Sequence, residues 1–244
     1  MQRIKREIAG LLSPLRLFDF QVCFVILSAC VILIVTKEYG TTSFFRNTIV
    51  KALDLNMDRE HIRFWAYEYR LLIRPVFQFA LPLLLILWPL KKKPRDFGVT
   101  LGDVPAGLFW FVLSSVVMTA IIVPISQTDA FQRYYGKIPL IADSWKYFTI
   151  YALSYFFYMT GWEYIFKGYM LFGLEEKWGA AGAVLVQTIP FAMLHIGKPL
   201  PETLASVIAG VFLGLMALRT RSFWWGVFIH VYAIVLMYFM AVVT

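Results

Sequence analysis

The chain has 244 residues, 60% of them hydrophobic and 18% aromatic, with a mean hydropathy of +0.68, far above the roughly 45–50% apolar content of a soluble domain. That excludes a soluble enzyme or disordered protein, while 15 Gly, 11 Pro and 2 Cys exclude a fibrous or disulfide-framed chain. A net charge of +8 does not point to nucleic acid, because the basic residues lie in the gaps between apolar runs, where they act as topology signals.

Residues 1–17 alternate basic positions (Arg3, Lys5, Arg6) with Ile4, Ile8, Leu11, Leu12 and Leu15, the pattern of an amphipathic helix on a membrane surface. Leu27-Ser28-Ala29-Cys30 resembles a lipoprotein cleavage box, but the apolar run continues through Val35, which predicts an uncleaved span. Cys23 and Cys30 read as small hydrophobes within it.

Apolar runs at about 18–36, 74–90, 104–126, 146–172, 179–196, 203–218 and 222–243 each approach the roughly 20 residues that span a bilayer. The expectation is an all-α polytopic membrane protein, a single membrane domain over 1–244 with about seven transmembrane helices. Lys91-Lys92-Lys93-Pro94-Arg95 is the densest cationic cluster; by the positive-inside rule it faces the cytoplasm. Counting spans from there puts the amino terminus and Arg219-Thr220-Arg221 on the same side, as expected in a cell (inner) membrane. The segment 37–72, with Phe64, Trp65, Tyr67 and Tyr69, becomes an extracytoplasmic loop able to hold an interfacial helix, and His61 a solvated or interfacial residue.

An ionisable group inside a membrane span is costly and is a functional hypothesis by default. In the carboxyl-terminal half these reduce to Glu163, Glu202, His195 and His230, because Glu175 and Glu176 sit beside Lys177 at a helix end. Glu163 and Lys167 are one helical turn apart in the order that favours an ion pair. His195 follows Pro190, where a kink is expected, and His230 lies amid apolar neighbours. A carboxylate and two imidazoles from three helices can ligate a divalent metal such as zinc, or the carboxylate can activate water while the imidazoles stabilise an oxyanion. Glu202 is a second candidate carboxylate, on a Gly/Pro-constrained loop; its simpler role is stabilising a helix amino terminus.

Glu163-Tyr-Ile-Phe-Lys167-Gly-Tyr, Phe191-Ala-Met-Leu-His195 and the run from Leu218 to His230 together resemble the CPBP family of intramembrane proteases, which contains the CAAX prenyl-protein endopeptidases. The family's marks are EExxxR, FxxxH and a later histidine often followed four residues on by Asn or Asp. The resemblance covers residues 146–240 and implies catalytic roles for Glu163, His195 and His230, with Lys167, Phe191 and Glu202 in support. Trp162 stands where the first glutamate would be, and Ile234 where Asn or Asp would be. A local turning or unwinding of the helix near Gly161 would bring Glu163 round to the histidines.

The expected activity is endopeptidase cleavage of a membrane-embedded or lipidated peptide or protein, in a chain whose only other partner is the bilayer. The alternative is a catalytically degenerate relative that binds a membrane peptide or partner protein; a small transporter is the third reading. Gly-x-Ser-x-Gly, His-Glu-x-x-His and phosphate-binding glycine loops are not found.

Overall fold

A computed structural model describes residues 2–12, 19–136 and 138–243. The described residues are helical throughout, with no strand among them, as the apolar runs predict. Helix α1 (Gln2–Leu12) leads, with Ile4 and Ile8 exposed one turn apart. Helix α2 (Phe20–Tyr39) starts where the Asp19 side chain accepts from the Val22 N–H at 3.2 Å and ends at Gly40. Short helices α3 (Thr42–Phe44) and α4 (Val50–Ala52) flank a wide π-helical turn.

Helix α5 (Arg59–Pro75) is capped by Asp58, which accepts from the N–H groups of Glu60 and His61 at 3.0 Å each. It runs through a π-helical stretch (Val76–Ala80) into α6 (Leu81–Leu87). This corrects the expected second span: the helix begins at Arg59, not near residue 74, and takes up the end of the 37–72 segment. Hydropathy hides its first half because Arg63, Glu68, Arg70 and Arg74 interrupt the apolar pattern. Phe64, Ala66, Glu68 and Leu71 nevertheless turn inward. His61 sits half-exposed between Asp58 and the Tyr147 hydroxyl.

Helix α7 (Val104–Ile125) follows, capped by Asp103, and α8 (Asp129–Tyr135) and α9 (Pro139–Asp143) link it to α10 (Trp145–Glu163). A π-helical segment, Tyr164–Met170, then leads into α11 (Leu171–Met193). Helices α12 (Leu200–Thr220) and α13 (Trp224–Val243) complete the bundle.

The end of α10 and the π segment form the centre of the molecule. Every residue from Tyr158 to Leu174 is buried, and a helix buried all round needs neighbours on every side. Helices α5 and α13 pack against α10, α12 against α11, and α7 against α13. Pro190 lies inside α11, which is broken at Gly179 (φ 69°, ψ 170°). That backbone conformation is open to glycine and strained for other residues, and it separates the expected 146–172 and 179–196 runs.

Among the described residues, five helices are long and apolar enough to cross a membrane: Phe20–Tyr39, Arg59–Leu87, Val104–Ile125, Leu200–Thr220 and Trp224–Val243. The protein is therefore a multi-pass membrane protein. The expected total of about seven needs α10 and α11 as well, whose tyrosines and whose Glu175, Glu176 and Lys177 lower their apolarity.

One end of the bundle is laced by ion pairs: Lys177–Asp19 and Lys92–Glu176 at 3.3 Å, and Arg221–Glu175 and Arg219–Asp103 at 2.7 Å. All are partly exposed, so each contributes only about 0–1 kcal/mol. They gather the 91–95 cluster and the 219–221 turn at the same end, as the span count predicts.

Candidate active site

Glu163 ends α10 with no solvent exposure, and His230 lies on the facing helix α13. The Glu163 Oε1 to His230 Nδ1 distance is 2.9 Å. The contact is close but poorly aligned: neither carboxylate oxygen, nor the imidazole Nδ1, has a hydrogen-bond partner among the described residues. A buried carboxylate with unsatisfied lone pairs is costly. Such a group is suited to accept from a reacting molecule.

The close approach is permitted by Gly226, one turn before His230. A Cβ on Gly226 would collide with Glu163 Oε2 and come within 3.1 Å of its Cδ. Glycine inside a helix is about 1 kcal/mol less favourable than alanine, so clearance for the carboxylate is what this position provides. Sequence reasoning missed Gly226; its spacing of four from His230 within an apolar run is the signal that could have found it.

The expected Glu163–Lys167 pair does not form. Lys167 lies in the π-helical segment, where the wide turn disturbs the side-chain stacking on which an i,i+4 pair depends. Its ammonium instead lies over the face of Phe191, 3.3 Å from the ring centroid, with no hydrogen-bond partner for Nζ among the described residues. Cation–π attraction holds it there, while its charge still acts through space on Glu163.

Phe191 links the remaining parts. Its ring centroid is 4.8 Å from that of His195, 6.0 Å from His230 and 5.9 Å from Trp162, and its carbonyl lies 2.8 Å from His195 Nδ1. A carbonyl only accepts, so Nδ1 carries the proton and Nε2 is the acceptor in the neutral ring. Trp162 meets His195 edge to face at 5.4 Å. Ile234 is buried on α13.

Glu202 is held elsewhere, by Lys198 Nζ at 2.6 Å and by the donating Tyr135 hydroxyl at 2.7 Å. It lies in the first turn of α12, where its charge complements the helix dipole. Among the described residues no group of three or more His, Cys, Asp or Glu side chains gathers to hold a metal ion.

No curated protein and no solved structure matches the chain. Residues 143–236, which contain Glu163, His195 and His230, match the family described as Rce1-like, type II CAAX prenyl endopeptidase Rce1-like. Over that segment, less than half of its length, the chain is similar to the CPBP/CAAX protease family.

Proposed function

We propose that the protein is an intramembrane endopeptidase that cleaves a membrane-embedded or lipidated peptide or protein. The observation that carries this reading is the buried Glu163–His230 contact at 2.9 Å, within the segment matched to a protease family. Glu163 takes a proton from a water molecule whose second hydrogen is accepted by His195 Nε2, and the hydroxide adds to the scissile carbonyl. An N–H of the His230 imidazole, held beside Glu163, donates to the developing oxyanion. The proton held by Glu163 passes to the leaving nitrogen as the C–N bond breaks, giving a carboxylate and an amine. Lys167 keeps positive charge near Glu163, and Phe191 fixes Lys167 and His195 relative to each other. Each of these steps uses protein groups alone. The protein would work in the cell membrane with the amino terminus and the ion-paired end in the cytoplasm.

Trp162 favours the second reading, a relative that binds a membrane peptide without cleaving it, because an indole on His195 occupies the place of a carboxylate. Full-length protein in nanodiscs, incubated with a lipidated peptide library and read by mass spectrometry, separates the two. Glu163→Gln should lower cleavage at least about a hundredfold, the scale of losing a general base. Binding without cleavage by the wild type would establish the second reading. Cleavage that survives Glu163→Gln would refute the mechanism.

A further inference from the structure

A second polar cluster lies beside the site and has no part in the chemistry above. Along one face of α10, Tyr151, Tyr155, Tyr158 and Trp162 follow one another toward Glu163, with successive ring centroids 5.0, 5.6 and 6.0 Å apart. From Trp162 the next ring is His195 at 5.4 Å. Tyr238 of α13 closes on the far end of this row, its centroid 4.8 Å from Tyr151 and its hydroxyl accepting from that of Tyr151 at 2.9 Å.

Arg70 of α5 reaches this row. Its guanidinium is within electrostatic range of the hydroxyls of Tyr155, Tyr151, Tyr158 and Tyr238, and packs 5.0 Å from the Tyr67 ring. Its Nε is buried with no hydrogen-bond partner among the described residues. The neighbouring cations are already engaged: Arg74 donates to the Tyr158 hydroxyl at 3.2 Å and to the Gly40 carbonyl at 2.9 Å, and Lys198 to Glu202. The nearby acids are engaged too. Glu202 has both oxygens bonded, and Glu68 of α5 accepts from Ser154 of α10 through Oε2 at 2.5 Å, its Oε1 being buried without a hydrogen-bond partner among the described residues and forming no ion pair with Arg70. Arg70 is thus a half-buried cation whose Nε is buried, with no carboxylate paired to it among the described residues, among hydroxyls able to donate.

We propose that Arg70 and the surrounding tyrosines form an anion subsite that receives a carboxylate of the peptide ligand. The guanidinium fork matches a carboxylate in two parallel hydrogen bonds, and an unpaired buried charge gains most from a partner. Tyr238 is eight residues from His230 on one helix, about 12 Å at 1.5 Å per residue, so an extended peptide reaches both places. This deepens the protease reading, since the same peptide would present its scissile bond to Glu163.

The test measures binding in phosphatidylcholine nanodiscs, using the full chain carrying Glu163→Gln so that turnover does not interfere. The probes are an amino-terminally fluorescent apolar peptide with a free α-carboxylate and its carboxamide twin. The carboxylate peptide should bind at least about tenfold tighter, the worth of one charge-assisted contact. Arg70→Gln should remove that preference, and Arg70→Lys, which keeps the charge without the fork, should retain part of it. Thermal melting of both variants shows that they are folded. Equal affinity for the two peptides, or a preference that survives Arg70→Gln, overturns the proposal. Binding of phosphatidylglycerol that depends on Arg70, with the two peptides alike, assigns the cluster to a lipid headgroup and overturns it as well. Cleavage is measured separately in the chain with Glu163 intact. Absent cleavage beside a clear carboxylate preference refutes the protease reading alone.

Discussion

Gly226→Ala separates the placement of Glu163 from the stability of the fold. The added methyl would overlap Glu163 Oε2 and sit 3.1 Å from Cδ and 3.5 Å from Cγ, so either the carboxylate rotates away or α13 retreats from α10. Overpacking of this kind costs about 1–3 kcal/mol, while alanine returns about 1 kcal/mol of helix propensity. The net destabilisation is then about 0–2 kcal/mol, a shift of a few degrees in Tm for a chain of this size. The effect on chemistry is larger, because displacing a reacting group by about 1 Å can cost about a hundredfold in rate. The assay is kcat for peptide cleavage in nanodiscs alongside a thermal melt. Gly182→Ala serves as the control, since its methyl would meet only the Trp178 Cβ at 3.2 Å. A Gly226→Ala protein with wild-type kcat and unchanged Tm would show that the position of Glu163 next to α13 is irrelevant to catalysis.

Three further outcomes follow from the same geometry. Trp162→Ala should destabilise the fold by about 3–5 kcal/mol, the usual result of emptying a buried aromatic site, and Trp162→Phe by less; a melt of Trp162→Ala within a degree of the wild type would contradict the packing against His195. Asp103 sits outside the spans, and its carboxyl is held below the ordinary range by the Ala106 backbone N–H and then by Arg219. Because the folded value is depressed, its stabilisation is present above the unfolded value near pH 4 and is lost as pH falls through the folded value. The Tm gap between wild type and Asp103→Asn should therefore be flat from neutral pH to about pH 5 and close at lower pH; a gap that widens on acidification would reverse this assignment. Cleavage should survive 1,10-phenanthroline, and its loss with recovery on adding zinc would replace the metal-free mechanism.

Much of this architecture is legible in hydropathy alone. Three of the spans, α2, α7 and α13, coincide with uninterrupted apolar runs because lipid-facing helices need no other signal. Helix α5 was not legible over its first half. Arg70 and Glu68 break its pattern, and only tertiary packing shows that they turn toward tyrosines and a serine on α10. The interruption between the apolar runs 146–172 and 179–196 falls at Gly179, whose positive φ breaks α11, while Pro190 stays within the helix. At the site, Glu163, His195, His230 and Phe191 were recognisable from residue type and motif. Their pairing was not, because the i,i+4 rule that joins Glu163 to Lys167 assumes a regular α-helix, and the π-helical segment after Glu163 removes that assumption.

The departures from ordinary helix and core rules are concentrated around Glu163. Within a few residues of it lie a π-helical turn, a buried carboxylate without a hydrogen bond, a buried ammonium resting on a phenyl ring, and a glycine inside a transmembrane helix that makes room for an oxygen. Each is unfavourable where only stability matters, and π-helical insertions frequently mark functional sites. A protein keeping this fold only as a scaffold could replace Lys167 with methionine without loss. Replacing buried charges by apolar groups is often neutral or stabilising. Local conflicts of this kind are expected where function competes with folding. Their convergence on one carboxylate and one imidazole is why hydrolysis, rather than binding alone, is the reading to test first.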